Sequence, residues 1–546
     1  MSELAPETLI RHEEQLLEEL GYRLCLRDER AVLEGLRVHG EVDSMYGLET
    51  ATVVDEFFCF LRELGLWEKL ETLEPADRKR EMLGLAPMVL LYFLKVLSGI
   101  KAMDALPELL FANRGLMRLV GFSGHVLEKG LCKRGEHRRK GEKRSIPLCP
   151  DMMRNNLVGM TLETVSGFFN DTVRALAGFG AYGRNIRVHI DASTIVTTEK
   201  AKDAGKIPQK KTVRTKTGEV REYEVHVYGW KFTTLWDAKS GLPLASGFGK
   251  INRGDREFIF RIIEQARENL AGSGSKLCEV VMDGGYLDGT DLYTLDRQGL
   301  RWFTRGRVSL NVVKEAVELS NTGHGIVRER TRTVVRGKGK NACKVELQTR
   351  VVGIAGLESF DTYGPADRIP GAANSQAFRP VPVNAVVVKE WDGNVPEDPE
   401  VYLTNGPVED PLAVADAYDE RSEIENRLHR ELKQSYHLEH LLQKSEPGAY
   451  VHLYLLLSLY ALVRAFRVWK REEDQRAVRG RGSTLQSFRK DIERENLGLV
   501  IVFDGEHYGI FVFADLMSVM AGTKFRELSP VRTWEDLYLK YTGRPP

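Results

Sequence analysis

The chain has 546 residues, with 78 lysines and arginines against 78 aspartates and glutamates, so its formal net charge is zero. A composition of 42% hydrophobic and 29% charged residues excludes a chain disordered throughout, and the length calls for roughly two to four domains rather than one core. A neutral total does not signal a nucleic-acid partner, but ligands sense local charge, and here the charge is unevenly spread.

The opening residues, MSELAPETLIRHEEQ, are too polar for a signal peptide. Residues 1–120 read as helices around 7–20, 51–64 and 87–98, punctuated by Gly21, Gly65, Pro75 and Pro87. A basic run follows at 133–144, KRGEHRRKGEKR, carrying Lys133, Arg134, Arg138, Arg139, Lys140, Lys143 and Arg144. A solvated loop is the ordinary reading of such a run. Its cation density also suits contact with phosphate, which tunes affinity more than sequence choice. From about 180 the period changes to alternation, with strands expected at 186–191, 223–236 and 243–250 and a basic stretch, 200–216, between the first two. A helix at 255–269, a strand at 278–283, a helix at 289–298 and a strand at 301–305 come next. The stretch 310–400 is rich in Val, Thr, Gly and Pro and reads as an inserted β-rich subdomain, leading to a strand at 401–405. Beyond it lie a helix at 418–433, a long apolar helix at 448–473, a helix at 484–494 and a hairpin around Asp504-Gly505. The longest apolar run, 453–463, is too short to span a membrane. Six cysteines lie at 25, 59, 132, 149, 278 and 343 without any Cys-x2-Cys pair, which predicts reduced thiols in the cytoplasm. Cys132, His137 and Cys149 match no standard zinc spacing.

The helix at 418–433, YDERSEIENRLHRELK, organises the rest. Ile424, Leu428 and Leu432 form its apolar stripe; Tyr418, Arg421 and Glu425, three and four apart, form a polar stripe beside it. Alone, Arg421 and Glu425 would be an ordinary surface pair. Two upstream strands, however, end in Asp191 and in Asp283-Gly284-Gly285-Tyr286. Acids that close buried strands sit where α/β sheets place ligands, and three such carboxylates suit hard cations. A helix cap for Asp191 and a turn for Asp283 are the ordinary alternatives.

In this order, Asp191, Asp283-Gly-Gly-Tyr and Tyr-x2-Arg-x3-Glu resemble the insertion-sequence transposases of the DDE type, whose signature is Tyr-x2-Arg-x3-Glu-x6-Lys. The lysine position holds Leu432, with Lys433 one later; a one-residue π-bulge would restore the register. The resemblance implies an α/β fold: a ribonuclease-H-like mixed sheet over 181–310 and 401–475, interrupted by the β-rich subdomain at 311–400. A helical N-terminal region at 1–180 would bind DNA ends, and a C-terminal region at 476–546 would close the chain. It implies Asp191, Asp283 and Glu425 as catalytic ligands of two Mg²⁺ or Mn²⁺ ions, with Tyr418, Arg421 and Lys433 holding DNA phosphates. The partners implied are double-stranded DNA (transposon ends and target) and a second copy of the chain in the DNA complex, with no membrane, in a prokaryotic cytoplasm at the nucleoid. A metal-dependent nuclease of the same fold and an inactive, domesticated DNA-binding protein are the rival readings. His189 shares a strand face with Asp191 and is expected to be packed and hydrogen-bonded. Asp237, Asp255 and Asp288 rank below the three acids as turn or helix-start residues. Trp230, Trp236 and Trp302 are expected in the core, and Trp391 is the one tryptophan of the subdomain.

Overall fold

The computed structural model describes residues 22–48, 52–73, 83–129, 147–201, 203–214, 220–336, 343–368, 376–391, 398–470, 484–493, 498–521 and 533–546. The basic run 133–144 lies outside the described residues. The chain divides into two compact units, one formed by Met1–Thr172 with Leu432–Pro546 and the other by Val173–Glu431.

The second unit holds a ten-stranded sheet. Its elements are β1 (Asn185–Thr197), β2 (Gly205–Arg214), β3 (Val220–Asp237), β4 (Leu242–Lys250), α1 (Ile259–Leu270), β5 (Lys276–Met282), α2 (Gly289–Arg297), β6 (Arg301–Arg305) and α3 (Asn311–Asn321). There follow β7 (Ile326–Arg336), β8 (Cys343–Leu357), β9 (Val383–Trp391), β10 (Glu400–Thr404) and α4 (Pro411–Asp419). The strand order is β2-β3-β1-β5-β6-β10-β9-β8-β7, and β4 also pairs with β3. β4, β3 and β1 form an antiparallel set, after which β1, β5 and β6 run parallel. That is the ribonuclease-H-like arrangement expected.

The parallel centre is covered on both faces, which is why Val280, Val281 and Met282 are all wholly buried instead of alternating with polar residues. α1 presents Ile259, Ile262, Ile263, Ala266 and Leu270 as its buried stripe. α4 opens on Pro411, capped by Asp410 accepting from the Ala413 amide, and packs Val414, Ala415 and Tyr418 against Val351, Val386, Val388 and Tyr402. Trp230, Trp236 and Trp302 are buried in the core as expected.

Three features differ from the sequence reading. β1 does not stop at Asp191 but runs on to Thr197, because Ser193, Thr194, Ile195 and Val196 continue the ladder with β3. Within the basic stretch 200–216 lies strand β2, at one edge of the sheet, with Lys206 and Lys210 along it. Charged lysines on an edge strand deter pairing with other chains, and they also make it read as a loop. The strands of the expected β-rich subdomain, β7 to β9, do not form a separate sheet. Through β10, which pairs with both β6 and β9, they extend the first sheet. Trp391 closes β9 opposite Gln348.

In the first unit, early and late segments share one four-stranded sheet, ordered Leu26–Arg27, His507–Val512, Leu499–Phe503 and Ser44–Gly47. The Leu499–Phe503 and His507–Val512 hairpin turns where Asp504 accepts from the amides of Glu506 and His507. Helix Glu446–Trp469 reaches the length and apolar character of a membrane span, longer than the 453–463 run suggested, yet 94% of its most apolar window is buried in the protein. It is a core helix, sealed by Tyr92 Oη at 2.8 Å from His452 Nδ1.

Candidate active site

β1 and β5 pair in parallel up to Ile190 opposite Met282. The next residue on each strand is an acid, Asp191 and Asp283. Neighbouring strands lie about 4.8 Å apart, so this register sets the two acids side by side where the parallel ladder ends, Asp191 within β1 and Asp283 just past β5. Asp191 does not take its ordinary role, whereas Asp283 does open a turn, its carbonyl accepting from the Tyr286 amide at 2.9 Å. Asp191 lies within a strand and caps no helix. Asp283 precedes a short 3₁₀ turn, Gly284–Tyr286, but its side chain makes no capping bond. The turn's backbone is held instead by Thr304 Oγ1, which donates to Asp283 O at 3.3 Å, and by Arg307 Nη2, which donates to Gly284 O at 3.2 Å. A Cβ at Gly284 would sit 3.2 Å from Arg305 O, so glycine lets the end of β6 lie close.

The segment expected as one helix over 418–433 is built in three pieces. α4 ends at Asp419, the chain tightens through Arg421 N donating to Tyr418 O at 2.9 Å, and a π-helical turn spans Ile424–His429. A regular helix, Arg430–Gln434, follows and carries Lys433 across the division into the first unit. The π turn is the one-residue register change expected ahead of Lys433. Ile424 and Leu428 are wholly buried, so the apolar stripe survives it.

Arg421 joins the pieces. Its Nη1 donates to Glu425 Oε1 at 3.1 Å, its Nη2 stands 4.0 Å from Asp283 Oδ1, and its guanidinium lies 5.7 Å from the Tyr418 ring centre. Burial works against its charge, but Tyr418, Asp283, Asp191 and Glu425 together outweigh burial and hold its pKa above the ordinary value. Tyr418 is 7% exposed, stacks on Tyr402 at 4.2 Å between ring centres and donates from its hydroxyl to Asp283 Oδ1 at 3.3 Å. Burial pushes that hydroxyl up to about 12, with Arg421 pulling the other way, so it remains a donor at neutral pH. Tyr418→Phe is therefore expected to lower activity about 2- to 10-fold, the worth of one ordinary hydrogen bond, measured as single-turnover DNA cleavage. Tyr286, from the Asp-Gly-Gly-Tyr motif, is buried; desolvation and then Asp255, Asp191 and Asp283 raise its pKa.

His429 is a site residue that sequence reasoning missed. It is buried, its Nδ1 lies 3.4 Å from Asp191 Oδ2, and its ring meets Phe232 edge-on at 5.4 Å. The only signal was its spacing of four from Glu425. His189 is packed but not hydrogen-bonded: neither ring nitrogen has a partner among the described residues, and burial, with Arg187 and Arg421, pushes it down to about 3. The lower-ranked acids have structural partners. Asp237 accepts from the amides of Lys239 and Ser240, Asp255 pairs with Lys231 at 2.6 Å, and Asp288 caps α2.

Among the described residues no group of three or more acidic, histidine or cysteine side chains is drawn tightly enough together to enclose a metal ion. Arg421 pairs with Glu425 at 3.1 Å and stands 4.0 Å from Asp283. The donor set itself, three oxygen-bearing acids, is that of a hard divalent cation.

The family model for the transposase DDE domain matches residues 184–462, just over half of the chain. The chain belongs to the transposase DDE domain family. It is accordingly a DNA transposase, an enzyme acting on DNA, in a family that uses divalent metal ions. No curated protein matches it. Among solved structures this transposase is similar to a piggyBac transposase synaptic complex with hairpin DNA, at 9% identity and a TM-score of 0.35, over 80% of this chain and 79% of that one.

Proposed function

We propose that this transposase cuts and joins insertion-sequence ends at a centre formed by Asp191, Asp283 and Glu425. The observation that carries the reading is the register of β1 and β5, which sets Asp191 beside Asp283, together with the Arg421 bridge from Asp283 to Glu425. The three carboxylates would hold two Mg²⁺ or Mn²⁺ ions. When bound, such a pair supplies Lewis acidity at both the attacking and the leaving oxygen of an in-line displacement.

The chain's own residues supply the rest. In the first step a water oxygen attacks the phosphorus at the transposon end and the 3′ oxygen leaves. In the second, that 3′-hydroxyl attacks a target phosphate and displaces the target's 3′ oxygen. Arg421 is the group suited to a bidentate grip on a phosphate. Tyr418 keeps Asp283 oriented through its hydroxyl, and Lys433 adds a further phosphate contact. The partners proposed are double-stranded transposon ends and target DNA. Two copies pair the two ends, in a prokaryotic cytoplasm at the nucleoid.

The deciding experiment incubates the full chain with DNA bearing the flanking ends of its own gene and Mg²⁺. Cleavage followed by joining supports the proposal. Cleavage without joining would make it a nuclease, and binding without either would make it a domesticated DNA-binding protein. Neutralising four or more of Lys133, Arg134, Arg138, Arg139, Lys140, Lys143 and Arg144 is expected to weaken DNA binding. The slope of log affinity against log salt should fall by about 0.9 for each phosphate that the protein no longer neutralises; an unchanged slope would remove this run from the DNA surface.

A further inference from the structure

We infer that β2 and the first half of β3 form a two-stranded arm that holds the backbone of duplex DNA beyond the cutting centre. The inference rests on Asp191 belonging to that centre. The ladders define the arm. β3 pairs with β1 only from Tyr228 to Asp237, and with β4 only from Trp230 to Asp237. Its first half, Val220 to Gly229, pairs with β2. Residues 207–214 and 220–227 therefore leave the sheet as a ribbon of two strands, about 27 Å long at 3.4 Å per residue. Pro208, Lys210 and Glu222 on one face of it and Gln209 and Tyr223 on the other are exposed. A two-stranded ribbon buried on neither face is marginal in water, so this arm gains stability by lying against a partner.

Direction and charge identify the partner. β3 runs antiparallel to β1, so its first half continues past Thr197, away from the carboxyl end of the β1–β5 ladder where Asp191 and Asp283 stand. Asp191 lies opposite Thr234. Counted along β3 from there, the arm begins seven residues on at Val227 and reaches Val220 after fourteen, about 24 to 48 Å from Asp191. Strand alternation puts Lys206 and Lys210 on the same face of the sheet as Asp191, with Glu224 opposite Lys210. Residues 205–214 and 220–229 hold Lys206, Lys210, Lys211, Arg214 and Arg221 against Glu222 and Glu224, a net charge of +3 in a chain whose total is zero. A second copy pairing along β2 would set these lysines against one another. Duplex DNA meets them with phosphates, and its major groove admits a two-stranded ribbon. At about 3.4 Å per base pair, the arm covers roughly 7 to 14 base pairs to one side of the cut.

The test compares the full chain with its Lys206→Gln/Lys210→Gln double variant on DNA bearing the flanking ends of its own gene. Binding is titrated by gel shift without divalent ions, across a range of salt. The duplex extends about 20 base pairs on both sides of the mapped cut, or is trimmed to about 5 on one side or the other, short of the arm's reach. Trimming one of the two sides is expected to weaken binding by the unaltered protein. The double variant should bind the long duplex roughly tenfold or more weakly, with the salt slope lower by about 1.8, and lose less than the unaltered protein when that side is trimmed. Unchanged affinity and slope on the long duplex would overturn the inference, as would the same loss on long and trimmed DNA. If the double variant fails to fold, Lys210→Gln alone is read the same way, with a slope change of about 0.9. Asp191→Ala is run alongside for cleavage with Mg²⁺. Cleavage retained by that variant would remove Asp191 from the centre, and the inference with it. A defective Asp191→Ala beside lysine variants of unaltered binding would remove the arm alone.

Discussion

Asp191→Ala, Asp283→Ala and Glu425→Ala are each expected to lose DNA cleavage, by roughly 10³-fold or more, while still binding transposon-end DNA. The size follows from the job assigned to them. Divalent cations at the reacting phosphate are worth several kcal/mol of transition-state stabilisation, and each 1.36 kcal/mol is a factor of ten. Binding survives because affinity for DNA comes mainly from cations spread over the protein surface. The measurement is single-turnover cleavage of end-labelled DNA, with a gel-shift titration beside it. Substantial cleavage by any one variant would exclude that residue. The corresponding changes at Asp237, Asp255 and Asp288 provide the contrast, since their carboxylates serve a turn, an ion pair and a helix cap. They should leave the cleavage step itself intact.

Arg421→Gln carries the second large effect, a loss of roughly 10² to 10³ in the rate of the chemical step, the usual result of deleting one preorganised charge donor. Arg421→Lys should recover little of it. Lysine is a point charge on a flexible stem and cannot grip a phosphate with two parallel hydrogen bonds as the planar guanidinium does. The opposite outcome would be informative. If the guanidinium served only to keep Glu425 folded back, its removal would lower the divalent-ion concentration needed for cleavage without slowing the saturated rate. Measuring the saturated rate and the ion dependence separately distinguishes the two.

The neighbouring placement of Asp191 and Asp283 was legible in the sequence because it follows from local patterns. Apolar runs leading into Asp191 and Asp283 read as strand ends; β1 runs on past Asp191, but its parallel ladder with β5 stops just before the two acids, which leaves them adjacent. Arg421 and Glu425 were legible from their spacing, although the helix expected to present them is broken at 420–421 and widened into a π turn. What escaped depends on long-range partners. β2 went unread within the basic stretch 200–216 because an edge strand is free to carry lysines. The run of β1 past Asp191 depends on β3 lying alongside. The place of β7 to β9 in the main sheet is decided by β10 inserting between β6 and β9, which no local pattern announces. His429 was hidden for the same reason, since Asp191 and Phe232, the two residues that define it, are remote in sequence.

The insertion of β10 between β6 and β9 also sets a timetable for synthesis. As the chain leaves the ribosome, Asp191 and Asp283 emerge with strands that pair with near neighbours. Glu425 is placed only after β7, β8 and β9 have been made and β10 has docked against β6. Pairings between such distant segments form late and slowly. A nascent or prematurely terminated chain therefore carries Asp191 and Asp283 with much of the sheet before Glu425 has joined them.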